Sequence, residues 1–285
     1  MCIRDSLKKY IQRYQAESGS IVLVEAKSGN ILSMANYPSF DPEKRQTYRG
    51  IKIKNRAVYD LIEPGSTIKP FIIYAALRNK VIDKSTIIDT APGVIKLDNK
   101  EIKDWKYLGK VSTSDIIKLS SNIGAAKVSK KLSKKQLTRN LDSFGFGQSL
   151  FLNLPGSKNG SVPSHNSLSD SNHFSIGYGY GLSVSLMHLV NAYTMLANAG
   201  SQTQLKYITN TDSADKKQVL DMQISNTVLD MMREVVHSPD GTGKKASVSG
   251  YTIYGLSLIN ISEPTRRYAI SYAVFCVKKK RGGGG

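Results

Sequence analysis

The 285-residue sequence predicts an α+β fold: an antiparallel sheet flanked by helices, joined to a mainly helical subdomain, with the sheet incomplete at its C-terminal end. Three observations point there. Short β-favouring runs lie near both ends of the chain, capped helical patterns fill the middle, and a Pro-Gly-Ser turn between two apolar stretches opens a helix that reads as buried. With 40% hydrophobic residues, the chain can bury a substantial core.

The runs SIVLVEA (20–26) and NILSMAN (30–36), joined by KSG, predict a hairpin. Ile21 and Leu23 fall on one face and Val22 and Val24 on the other, so the sheet is expected to be covered on both sides. From Ser66, TIKPFIIYAALRN has helical length and apolar spacing at Ile68, Ile72, Ala75 and Ala76. Pro70 is tolerated only in a first turn, which sets the helix start near Ser66. Farther on, STSD (112–115) has the form of a capping box and opens IIKLSSNIGAAKVSKKL; then Leu137, Leu141 and Phe144 form a stripe that stops at Gly145. Residues 155–176, rich in Ser, Asn, Gly and Pro, read as a surface loop, with His165 and His173 as solvated loop residues. Two further helices follow in 185–200 and 224–237, and VSGYTIYG (248–255) begins as a strand.

Charge excludes little by itself. The balance of 40 Lys+Arg against 22 Asp+Glu gives +18, but the charge is scattered. The densest block, KVSKKLSKK (127–135), reads as the solvated face of a helix without interleaved aromatics, which argues against nucleic acid as a partner. Cys2 and Cys276 are the only cysteines, so a CxxC redox site, a cysteine zinc site and an internal disulfide framework are all excluded, and no metal or cofactor is expected. No run of eighteen apolar residues occurs. Residues 1–6 and 256–285 resemble translated sequencing-adapter sequence, the latter ending in a lysine run and four glycines; both are set aside, leaving 7–255 as one domain with no cysteine and a positive net charge.

The chemistry centres on EPGSTIKPF (63–71). A serine and a lysine at i and i+3 share one helix face, so the Lys69 amine reaches the Ser66 hydroxyl, and the helix N-terminus favours charge developing there. The spacing alone selects little, since Ser6–Lys9 and Ser213–Lys216 match it too; only Ser66 follows a turn and opens an apolar helix. An N-cap serine beside a solvated lysine is the competing reading. A second element, Ser120-Ser121-Asn122, offers a hydroxyl to shuttle a proton and an amide to hold a substrate backbone. It too has look-alikes, at 28–30, 157–159 and 164–166, so order and helical context carry the weight. Trp105 reads equally as core or substrate-facing.

EPGSTIKP, KLSSNIGAAK and IGYGYGLSVSLMHLVNAYTMLANAG, with the opening SGSIVLVEAKSGNILSMANYPSFDP, resemble the transpeptidase domain of class B penicillin-binding proteins, most closely the septal, cell-division type, over nearly all of 7–255. The resemblance implies the β-lactamase/transpeptidase-like fold and a peptidoglycan D,D-transpeptidase. It implies Ser66 as nucleophile, Lys69 as general base and Ser120 as proton relay, with Asn122, Ser121, Gly179 and Tyr180 at the substrate. It further implies stem peptides ending in D-Ala-D-Ala and β-lactams as partners, other cell-division proteins, an inner-membrane tether absent from this chain, and a periplasmic site. One departure stands out. The family's Lys-Thr/Ser-Gly strand motif is expected directly after Gly255, where Leu256, Ser257 and Leu258 stand instead. That strand supplies the second oxyanion donor, and losing one donor costs about 2.7–4 kcal/mol, so this chain is expected to react poorly. A serine β-lactamase or penicillin sensor is the first alternative and a non-enzymatic basic domain the second. The lack of Glu between Glu101 and Glu234 removes a glutamate base for deacylation and disfavours the β-lactamase.

Overall fold

The computed structural model describes residues 2–41, 43–47, 53–97, 100–150, 152, 154–207, 216–257 and 273–279. Met1, Ser213, residues 258–272 and residues 280–285 lie outside the described residues. Helix α1 (Ile3–Arg13) buries Leu7 and Ile11 over the start of the first hairpin. Strands β1 (Gly19–Val24) and β2 (Ile31–Tyr37) pair antiparallel, Gly19 opposite Tyr37 and Val22 opposite Met34. Val22, Val24 and Met34 pack with Ala57 and Val58 of α2 (Arg56–Tyr59) and with Met187 from a later helix. Cover on both faces therefore holds for much of the hairpin but fails at its turn end, where Leu23 and Leu32 are 47% and 61% exposed, because α1 lies at the opposite end, against Gly19.

A 3-10 turn (Gly65–Ile68) leads into α3 (Lys69–Arg78). The α-helix thus begins three residues after the expected start at Ser66, with Pro70 in its first turn, where a missing N–H has no intrahelical partner. Every residue from Lys69 to Ala76 is buried, so α3 is the central strut of the core. Phe71 and Tyr74 meet Phe144 edge-on at 4.7 and 5.1 Å between ring centroids.

Four short strands follow, β3 (Ile87–Asp89), β4 (Val94–Leu97), β5 (Lys100–Lys103) and β6 (Lys110–Ser112), β3 pairing with β6 and β4 with β5. The predicted capping box is present: Asp115 N–H donates to Ser112 Oγ, and Ser112 N–H to the Asp115 carboxylate, opening α4 (Thr113–Lys118). Helix α5 (Asn122–Lys131), capped by Ser121, and α6 (Lys134–Ser143) come next, with Leu137, Leu141 and Phe144 buried. The stretch read as loop is in part helical: α7 (Asp170–Gly177) is capped by Ser169 and lies so close to α5 that a Cβ on Gly177 would sit 2.8 Å from Ala125 O. His173 is accordingly buried rather than solvated, whereas His165 is exposed.

Helix α8 (Leu186–Ala197) precedes the short strands β7 (Ser201–Gln202) and β8 (Lys217–Gln218), which pair with each other. Helix α9 (Met222–His237) packs against α3, α4 and α8, and carries β9 (Tyr251–Ser257), whose Ile253 N–H donates to His237 Nε2. Strand β9 pairs antiparallel with β10 (Ala273–Lys279). Among the described residues the strands associate only in pairs, and no helix is long and apolar enough to cross a membrane.

Candidate active site

The site begins with two glycines that touch. Gly65 N–H donates to Gly179 O at 3.0 Å, and a Cβ on Gly179 would fall 2.0 Å from Gly65 O. Both have positive φ, +53° and +95°, a backbone shape that disfavours a side chain, and at Gly179 the space is closed as well. On either side, Ile62 and Val184 exchange backbone hydrogen bonds and the Glu63 carboxylate accepts from Gly181 N–H at 2.9 Å. Residues 62–65 are thereby stitched to 179–184. Thr67 Oγ1 donates to Pro64 O, and Tyr193 OH donates to Thr67 O at 2.7 Å, which closes the turn from below. Ser66 emerges from this frame only 8% exposed.

Lys69 is fully buried, and its amine touches only uncharged groups: Ser66 Oγ at 2.9 Å, Ser120 O at 2.7 Å, Asn122 Oδ1 at 2.8 Å and Ser120 Oγ at 3.0 Å. Burial pushes its pKa down from 10.5 to about 7, with the negative charge of Asp104 opposing the shift. A neutral amine has two N–H donors and one lone pair. Ser120 O and Asn122 Oδ1 take the two donors, and the lone pair is left for the Ser66 hydroxyl proton. Ser120 Oγ donates to Ser66 Oγ at 3.1 Å, so a second hydroxyl stands ready to pass a proton onward.

Ser120 occupies the sharp turn between α4 and α5 with φ +56°, an unusual conformation for a non-glycine residue. That turn is held from outside. Asp104 accepts from Ser121 Oγ at 2.8 Å, Asn122 N–H at 2.5 Å and Ile123 N–H at 3.1 Å. Lys103 O accepts from Asn122 Nδ2 at 2.9 Å, which turns the amide oxygen toward Lys69. Trp105 donates its indole N–H to Leu119 O at 2.9 Å and remains 52% exposed, so it is a surface residue and not core.

The structure thus brings Ser66, Lys69, Ser120 and Asn122 to one point. Ser121 lies behind it as the α5 cap, donating to Asp104. Gly179 abuts the Ser66 turn, and Tyr180, 41% exposed, follows it with its ring 5.3 Å from that of Tyr178. Asp104, Lys103 and Glu63 were not singled out in the sequence: their bonds span 17, 19 and 118 residues, and no local pattern marks them. At the far side, β9 packs by the Ser66 turn and presents Leu256, fully buried, where a Lys-Thr/Ser-Gly motif would start.

A buried serine and lysine, relayed through a second serine, make up the working parts of a serine acyltransferase. Residues 19–256 match the family model described as penicillin binding protein transpeptidase domain, and the chain belongs to that family. It is 35% identical over 252 residues to the probable peptidoglycan D,D-transpeptidase PbpC of Pseudomonas aeruginosa, covering 88% of this chain and 44% of the relative. To the peptidoglycan D,D-transpeptidase FtsI of Escherichia coli (strain K12) it is 32% identical over 239 residues, covering 84% and 40%. The chain therefore spans less than half the length of these relatives. Among solved structures, the apo transpeptidase domain of Burkholderia pseudomallei penicillin-binding protein 3 superposes with a TM-score of 0.82 at 28% identity, over 96% of this chain and 79% of that one.

Proposed function

We propose that this chain carries the serine acyl-transfer centre of a peptidoglycan D,D-transpeptidase of the cell-division type. Ser66 Oγ attacks the carbonyl carbon of the penultimate D-alanine of a stem peptide while Lys69 takes its proton. The Ser66 amide stabilises the oxyanion. Collapse breaks the C–N bond, and the terminal D-alanine leaves with a proton relayed through Ser120. An amine from a second stem peptide then attacks the ester, forming the cross-link and returning the proton to Ser66. A β-lactam is attacked in the same way, but its amine leaving group stays tethered and the adduct persists.

The observation that carries this reading is the approach of Ser66 Oγ, Lys69 Nζ and Ser120 Oγ to within 2.9–3.1 Å of one another in a buried site. Residues 7–255 are the proposed domain, with 1–6 and 256–285 outside it. Asn122, Ser121, Gly179 and Tyr180 are proposed to line the stem-peptide site. The parent protein is proposed to work at the periplasmic face of the inner membrane, with other cell-division proteins. Because Leu256, Ser257 and Leu258 replace the strand motif, turnover by this chain is expected to be slow. The test is release of D-alanine from an N-acylated peptide ending in D-Ala-D-Ala, with an added amine acceptor. Slow release that disappears in Ser66→Ala is expected. Release unaffected by that substitution, or hydrolysis of penicillin without any accumulating adduct, overturns the proposal.

A further inference from the structure

Three consecutive residues leaving β5 grip the turn that carries Ser120, and they grip it on both sides of that residue. Before it, Leu119 O accepts the Trp105 indole N–H; after it, Asp104 accepts from Ser121, Asn122 and Ile123, and Lys103 O holds the Asn122 amide. Ser120 itself is left to face Lys69 with both its carbonyl and its hydroxyl. A non-glycine residue held at φ +56° persists only where the surroundings over-determine it, and these five bonds do so.

We infer that Asp104 is a positioning residue for the acyl transfer: braced by Lys103 and Trp105, its carboxylate fixes the 119–123 turn so that Ser120 and Asn122 present their acceptors to Lys69. This rests on the reading of Ser66 and Lys69 as nucleophile and base. The carboxylate has a second effect. The groups touching the Lys69 amine from the Ser66 turn and from the start of α5 are uncharged, so Asp104 is the charged group acting on it, and it holds the amine's proton against the effect of burial.

Two substitutions separate geometry from charge. Asp104→Asn removes the charge and weakens the grip; Trp105→Phe removes one N–H donor at a half-exposed position and leaves the charge in place. The Lys69 side chain is titrated through its 13Cε chemical shift, assigned by its loss in Lys69→Met, with circular dichroism checking the fold. The unaltered chain is expected to titrate near pH 7. Asp104→Asn moves the midpoint lower, and Trp105→Phe leaves it in place. Labelling of Ser66 by a fluorescent penicillin, followed for hours, is expected to slow in both, by about 10²-fold in Asp104→Asn, the loss that a small misplacement of reacting groups causes. An unmoved midpoint with an unchanged labelling rate in Asp104→Asn overturns the assignment, as does an equal midpoint shift in Trp105→Phe. Absence of labelling even after Lys-Thr-Gly is grafted at 256–258 counts against Ser66 as nucleophile, while the titration, which needs no turnover, still decides on Asp104.

Discussion

The two sides of the Ser66 site are built on different terms. On the helical side, Ser66, Lys69, Ser120 and Asn122 are tied together by hydrogen bonds, braced from behind by Asp104, and sited at the starts of helices that bury the core. On the strand side, β9 reaches the same turn and buries Leu256, whose side chain has neither charge nor donor. The comparison teaches that Ser66 and Lys69, the proposed nucleophile and base, are held by the helices together with the residues leaving β5 and the 179–184 segment, without the strand motif. In the proposed mechanism, stabilising the oxyanion and holding substrate fall to the strand side. Preparation of the attacking group and reception of the substrate are therefore separable in this fold.

Four changes break or sharpen that contrast. The largest effect is expected from Lys69→Met, which leaves the helical side folded but without a proton acceptor; penicillin labelling should fall about 10²–10⁴-fold, the usual worth of a general base. In the opposite direction, replacing Leu256-Ser257-Leu258 by Lys-Thr-Gly should raise the labelling rate by up to about 10²–10³-fold, the worth of one oxyanion donor. An unchanged rate in that graft would mean the strand side is not what limits the chain.

The stability of the helical side comes next. In Gly179→Ala the new methyl meets Gly65 O and must be held at φ +95°, which should cost roughly 2–5 kcal/mol in urea unfolding, from left-handed strain and overpacking together. An effect of similar size is a pH dependence. Folded Lys69 is neutral above about pH 7, whereas an unfolded lysine keeps its proton to near 10.5. Unfolding takes up a proton between those values, so stability contributed by this site rises with pH across that window. Lys69→Met should remove that part of the rise, and a chain whose urea midpoint has the same pH slope with and without Lys69 would show that the amine is charged when folded.

Much of the site was legible because its signals are local. The i, i+3 spacing of Ser66 and Lys69, the Pro70 that marks a helix start, and the Ser112–Asp115 box upstream of Ser120 all act within one or two turns of helix. What stayed hidden depends on distant parts of the chain. Asp104 bonds residues 17 to 19 positions away, and Glu63 reaches Gly181 across 118. The polar residues before α7 resembled a loop because Ser169 and Asp170 serve a cap and an exposed first turn, while burial of His173 comes from packing on α5 that no local pattern reveals. Strands β3 to β6 are three or four residues long, too short for alternation to stand out.

The central claim, that the helical side is a working acyl-transfer centre even beside an altered strand, is tested most directly by mass spectrometry after prolonged incubation with penicillin. The account predicts a single adduct on the peptide containing Ser66, absent from Ser66→Ala. An adduct on any other residue, or none after the strand motif has been grafted in, would contradict it.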